Sequence, residues 1–375
     1  MKKALTLFCI SAVCGCTTRS TRTLYSAGFR TVRFTDRARI YKPNTGTTDY
    51  LHYHPVDADI WYPADVPAGD TALDFKYFLD LFGSRANYYT ASKAGDSIPV
   101  QFARAFCGGF KCSAPKLLFN YKTSSYKDAK PAQGKFPLIV YLASFNGMGY
   151  ENYKLLEDLA KRGYVVASIP SIGRYPGDMT MKDEDMMEQV HDALAALTYL
   201  HRDQQTDFSN MALLGYSWGG VGDAVLANRL ANVKCVISFD GSEFHHYTHN
   251  KNEDADFDGI KNSPDFQRMK LTIPYFRLES DPLIKETGKD SVFDFTRKLT
   301  GERLILKVDL ANHQDFCYLP IVVKASGKCN TGDLYNTVSG LTISYLDEHL
   351  KGINDFQPVV DKLVSGKRVH KSRNP

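Results

Sequence analysis

Met211-Ala212-Leu213-Leu214-Gly215-Tyr216-Ser217-Trp218-Gly219-Gly220 is the stretch that decides the fold of this chain. Its first half is an apolar run of strand length, and residues 218–230 read as a helix. Between them, glycines stand two before and two after a serine. That spacing lets the backbone turn sharply from strand into helix with the hydroxyl at the apex. The helix N-terminus behind it favours negative charge on an attacked oxygen. G-x-S-x-G alone is a weak signal. Between this strand and this helix, Ser217 reads as a nucleophile rather than a residue of a plain turn.

Outward from this point the chain alternates strands and helices. Upstream, 137–142 and 164–169 are apolar runs of buried-strand type, with helices predicted at 150–162, stopped by Gly163, and at 181–202. The second helix carries Met186, Val190, Leu194 and Leu197 on one face. Downstream, strands are predicted at 235–239, 273–278 and 304–308, with helices near 291–299 and at 334–350. Earlier strands fall at 31–34 and 56–62. Such alternation predicts an α/β protein with a mostly parallel sheet covered by helices on both faces. One domain over 29–352 accounts for the pattern, with an irregular or lid-like excursion at 73–126 and a basic tail at 353–375.

A serine nucleophile needs a base, and the base needs an orienting acid. Where a strand–serine–helix turn of this kind occurs, the chain order is serine, acid, histidine. His313 lies just past the 304–308 strand, in Ala311-Asn312-His313-Gln314-Asp315-Phe316, where the base is expected. His245, His246 and His249 sit in a polar segment, and His349 lies inside the closing helix. Two acids compete. Asp240 ends one strand in Ser238-Phe239-Asp240-Gly241, and Asp281 ends the next in Leu278-Glu279-Ser280-Asp281-Pro282. Both stand at strand C-termini, where functional groups of open α/β sheets collect.

These features resemble those of the α/β-hydrolase superfamily, in particular its platelet-activating-factor acetylhydrolase-like branch, close to dienelactone-hydrolase-related esterases. The likeness runs over 29–350. It is carried by Arg33-Phe34-Thr35-Asp36, Asp59-Ile60-Trp61-Tyr62-Pro63-Ala64, Glu151-Asn152, the elbow at Ser217, Phe239-Asp240-Gly241 and His313-Gln314-Asp315-Phe316. The resemblance implies the α/β-hydrolase fold and cleavage of small-molecule or polymer-borne carboxylic esters, without a cofactor. It implies Asp240 as the acid, with Asp281 the alternative. It also implies an oxyanion hole formed by the N–H groups of Trp218 and of a residue in Ser144-Phe145-Asn146-Gly147-Met148-Gly149. Met148 is the first choice there and Gly147 the second. The branch usually has Ser-His-Gly at this point, and the histidine is absent here. Two other readings stay open: a serine peptidase on the same fold, and a binding protein that kept the fold without the chemistry.

At the N-terminus, Lys2 and Lys3 precede an apolar stretch at 4–13, too short to span a bilayer, that runs into Val13-Cys14-Gly15-Cys16. This resembles a bacterial lipobox. It implies a signal peptide at 1–15, lipidation of Cys16, a polar tether at 16–28, and export to a bacterial membrane on the periplasmic side or cell surface. Export permits disulfides, and Cys107 with Cys112 and Cys317 with Cys329 are the local pairings expected. Cys235, in an apolar strand, is expected as a buried thiol. The net charge of +4 and the lack of a basic run interleaved with aromatics exclude nucleic acid as a partner. Asp254, Asp256, Asp258 and Asp265 carry part of the spacing of a calcium loop, although a solvated acidic loop is the better reading. No other metal site is predicted.

Overall fold

The computed structural model describes residues 24–90, 97–109, 116–244, 251–280, 295–324 and 331–372. Their strands form one ten-stranded sheet. In chain order these are β1 (Ser26–Ile40), β2 (Tyr53–Ala64), β3 (Ser125–Lys127), β4 (Phe136–Leu142), β5 (Val165–Ile169), β6 (Thr206–Tyr216), β7 (Val233–Phe239), β8 (Tyr275–Glu279), β9 (Arg303–Val308) and β10 (Val369–Lys371). They lie side by side as β10-β9-β8-β7-β6-β4-β5-β2-β1-β3. From β5 to β9 the pairing is parallel throughout. β1 and β2 pair antiparallel, as do β2 with β5 and β9 with β10.

Strand periodicity explains the layers. In β4, Leu138, Val140 and Leu142 join one apolar cluster while Ile139 and Tyr141 join another. β6 divides likewise, Leu213 to one side and Ala212 and Leu214 to the other. Successive side chains of a strand point to opposite faces, so a run apolar at every position needs cover on both. Helices α5 (Asp183–Leu200) and α6 (Trp218–Ala227) pack on the first cluster through Met186, Val190, Leu197, Val221 and Val225. Helix α4 (Tyr153–Lys161) and the closing helix Thr331–Lys351 cover the second. Gly163 ends the α4 region with φ +82°, a left-handed conformation that favours glycine.

Two outcomes differ from the sequence reading, and the excursion after residue 73 takes definite form. Residues 304–308 do not form the last strand, because the tail folds into a helix, Phe356–Ser365, and into β10 at the sheet edge. Its apolar face was hidden in the sequence by surrounding charge; Phe356 and Val360 are buried by tertiary packing. The excursion after residue 73 is largely helical: α1 (Phe75–Thr90), α2 (Ser97–Gly109) and α3 (Lys116–Asn120), followed by β3. The acidic stretch is no calcium loop. Asp254, Asp256 and Asp258 lie on helix α7 (Lys251–Asn262), where residues two apart point to different sides. Asp258 pairs with Lys261 at 2.7 Å, and Asp265, on helix α8 (Pro264–Arg268), pairs with Arg229 at 2.7 Å.

Cys107, Cys235 and Cys317 are buried, and the expected partners of Cys107 and Cys317 lie outside the described residues. Cys317 Sγ points at the Glu151 carbonyl oxygen at 3.5 Å. Cys112, Cys329, His245, His246, His249, Asp281 and Cys16 lie outside the described residues. No helix among the described residues is long and apolar enough to cross a membrane.

Candidate active site

Ser217 stands alone between the end of β6 and the start of α6, with φ 56° and ψ −117°. This is a costly backbone conformation for a residue with a side chain. Hydrogen bonds hold it: Ser217 N–H donates to the Phe239 carbonyl at 2.9 Å, and the Ser217 carbonyl accepts from Gly220 and Ser242, each at 3.0 Å. The flanking glycines are sterically required. A Cβ at position 215 would lie 2.4 Å from the Gly219 carbonyl carbon, and one at 219 would lie 2.1 Å from the Leu142 carbonyl oxygen.

His313 reaches Ser217 from the loop after β9. Its Nε2 is 2.9 Å from Ser217 Oγ, and its Nδ1 is 2.8 Å from Asp240 Oδ2. Asn312 and Asp315 form a capping box that starts the short turn His313–Phe316. Tyr216 stacks on the imidazole at a 5.1 Å centroid distance and donates its hydroxyl to the His313 carbonyl at 3.1 Å. The ring is thus held in position from behind.

Asp240 follows the last residue of β7 and is fully buried, with a positive φ of 44°. Its Oδ1 accepts from Ser280 N–H at 3.0 Å; its Oδ2 accepts from Ser280 Oγ at 2.8 Å and faces His313. Arg277 on β8 brings Nη2 to 3.9 Å from Oδ1. Burial opposes the carboxylate charge, but the hydrogen bond and charge of His313, then Arg277, outweigh it and bring the Asp240 pKa down to about 2. Arg277 is itself fully buried among Glu243, Glu279 and the Gly241 carbonyl. Ser280 and Arg277 escaped the sequence reading. The only available hint was an arginine in the middle of an apolar strand.

The array opens into a cleft of about 280 Å³ lined by Phe102, Phe145, Met148, Glu151, Ser217 and His313. The loop after β4 forms one wall, where the sequence reading sought the second oxyanion donor. Gly147 N–H is committed to the Ser144 carbonyl at 2.7 Å, so Met148 is the better placed of the two candidates. Glu151 anchors this loop. Its Oε1 accepts from Ser144 N–H at 2.8 Å and from the Tyr141 hydroxyl at 2.7 Å, and its Oε2 accepts from Ser144 Oγ at 2.6 Å. Trp218, the other candidate donor, is the first residue of α6 and is buried beside Phe145.

Among the described residues, one group of side chains has metal-ligand proximity: His54, Glu188 and Asp192. Arg39 already joins Glu188 and Asp192, with Nη2 2.6 Å from Asp192 Oδ1. The cluster is an ion-pair network between β1, β2 and α5.

The family model described as "Dienelactone hydrolase family" matches residues 125–291. The solved structure of a ferulic acid esterase from Streptomyces cinnamoneus superposes with a TM-score of 0.65. It is 18% identical, and the match covers 94% of this chain and 98% of that one. No curated protein matches this chain. The matched segment spans the elbow and Asp240, and the shared sheet extends over the rest of the described chain. The chain thus has the α/β-hydrolase fold, and its residues 125–291 are similar to the dienelactone hydrolase family.

Proposed function

We propose that Ser217, His313 and Asp240 act as a nucleophile–base–acid triad that cleaves short-acyl carboxylic esters through an acyl-enzyme. The observation that carries this reading is the unbroken line from Ser217 Oγ through both imidazole nitrogens to a buried carboxylate. In the first step Ser217 Oγ bonds to the ester carbonyl carbon while its proton passes to His313 Nε2. The oxyanion lies against the N–H groups of Trp218 and Met148. Collapse breaks the carbon–oxygen bond to the alcohol, which takes the proton from His313. Water, deprotonated by His313, then attacks the acyl carbon and releases the acid and free Ser217. Asp240 holds the Nδ1–H tautomer and offsets the imidazolium charge.

The small cleft, with Phe102, Phe145 and Met148 at its walls, favours a short or slender acyl group. The names of the matching family and the similar esterase point to the same chemistry. Hydrolysis of a p-nitrophenyl ester series from acetate to decanoate tests the reading. The protein should turn over the short esters, and Ser217→Ala should abolish turnover. Equal rates for the two proteins would remove Ser217 from the chemistry.

We also infer export and anchoring through a lipid on Cys16, supported by the N-terminal sequence. Cells labelled with a fatty-acid analogue should yield tagged protein that Cys16→Ala loses.

A further inference from the structure

A second cavity, of about 540 Å³, lies on the far side of the loop after β4. It shares Asn146, Gly147 and Met148 with the cleft at Ser217. A molecule seated in it therefore borders the same loop that faces the reacting carbonyl. The volume falls in the range of small-molecule sites, roughly 300–1,000 Å³.

Its lining is unusual in two respects. Aromatic side chains form much of the wall: Tyr41, Phe82, Tyr89 and Tyr150. Tyr150 is 1% exposed, and its hydroxyl has no hydrogen-bond partner among the described residues. A buried hydroxyl without a partner costs free energy unless a ligand or water satisfies it. The formal charges on the lining also cancel, with Lys42 and Arg85 against Asp57 and Asp178. Burial works against the Asp57 charge, but Arg85 and Arg33 outweigh it and hold its pKa below the usual carboxylate value. Arg85 makes two bonds of 2.8 Å to Asp59, and Tyr89 donates to Asp57 at 2.7 Å. The cavity thus offers fixed donors and acceptors with no net charge. That selects against a carboxylate, a phosphate or a quaternary ammonium, and suits a neutral group bearing many hydroxyls, with aromatic faces for its C–H surfaces.

We propose that this cavity binds the polyhydroxylated, sugar-like alcohol portion of an acylated substrate while the acyl group lies at Ser217. The proposal rests on the ester-hydrolase reading above and adds the leaving-group class.

The test compares mono-acetylated glucose with ethyl acetate. Both carry the same acyl group and an unactivated alcohol, so the ratio of their kcat/KM values isolates recognition of the sugar. A ratio of about a hundredfold or more is expected, the scale of a hydrogen-bonding pocket. Ala86→Trp, which fills the cavity from α1, should cut that ratio at least about tenfold. The isosteric Tyr150→Phe should cut it about threefold to tenfold, the worth of one hydrogen bond. Ala195→Trp, in a groove on the outer side of α5, should leave it unchanged. Binding of free glucose to Ser217→Ala, read by saturation-transfer NMR, probes the cavity without the chemistry. Signal lost in Ser217→Ala/Ala86→Trp supports the proposal even if no ester is turned over, and absence of signal overturns it. A kcat/KM ratio near one, or a ratio that Ala86→Trp does not move, also overturns it. So does a preference for hydroxycinnamoyl over acetylated-sugar esters, which would assign the cavity to an aryl group.

Discussion

Asp240→Asn is the substitution for which the structure dictates the outcome most tightly. Asparagine has the size of aspartate but one oxygen and one amide nitrogen in place of two acceptors. Ser280 N–H, a donor only, sits 3.0 Å from Oδ1. The amide oxygen must therefore occupy the Oδ1 site, which leaves the NH2 group in the Oδ2 site, 2.8 Å from His313 Nδ1. His313 must then accept at Nδ1 and carry its proton on Nε2, so it donates to Ser217 Oγ instead of accepting from it. Flipping the amide only moves the clash to Ser280 N–H and turns NH2 toward Arg277. A wrong tautomer in such an array lowers kcat on the order of 10⁴-fold, or about 5 kcal/mol of transition-state stabilisation. Stability falls too. A carboxylate with its pKa lowered to about 2 stabilises the folded chain fully above about pH 4, and that contribution is lost as pH falls toward 2. Part of the depression requires a charged His313, so about 1–2 kcal/mol at neutral pH is the expected loss. The assay is burst and steady-state hydrolysis of p-nitrophenyl acetate by wild type, Asp240→Asn and Asp281→Asn, with thermal melts from pH 3 to 8. If Asp240→Asn keeps activity within tenfold, or if Asp281→Asn alone abolishes it, the tautomer argument is wrong.

Three further outcomes are expected. Glu151→Ala strands the half-buried Ser144 N–H and frees the loop after β4, so kcat for acetate esters should fall about 10- to 100-fold with little change in KM; a change confined to KM would contradict this. Glu151→Gln should keep most of the activity, because Ser144 Oγ can accept from the new amide. Gly219→Ala drives a methyl against the Leu142 carbonyl oxygen and should lower the melting temperature by more than about 10 °C or prevent folding, whereas Gly259→Ala, in open space on α7, should be neutral or stabilising by about 0.5–1 kcal/mol. Asp223 is fully buried, neither carboxylate oxygen has a hydrogen-bond partner among the described residues, and burial followed by the nearby Glu243 charge pushes its pKa well above the usual carboxylate range. An acid raised in the folded state costs stability as pH rises above its unfolded value, so the advantage of Asp223→Asn over wild type in thermal melts should grow from pH 4 to 8. A constant difference across that range would show that Asp223 does not titrate as described.

Much of this molecule was legible in its sequence because the deciding signals are local. Uniformly apolar runs such as 137–142 and 211–216 need burial on both faces, so the parallel sheet follows from composition and period alone. The elbow is also local, since Gly215 and Gly219 are required by contacts made within a few residues of Ser217 and by the strand beside it. His313 was marked by its position after an apolar strand. The choice between Asp240 and Asp281 had no local signal, since both follow a strand end. The described chain brings Asp240 to His313 through a left-handed backbone step and the support of Ser280 and Arg277, residues 37 to 40 positions away in sequence. The calcium-like spacing misled because ligand spacing means nothing until the backbone is known to be a loop, and here it is a helix. The sequence alone thus determined the layers, the turn at Ser217 and the reaction class it suggests. Tertiary structure decided which acid meets the base and where a second, charge-balanced cavity lies, because each of these joins groups from strands and loops far apart along the chain.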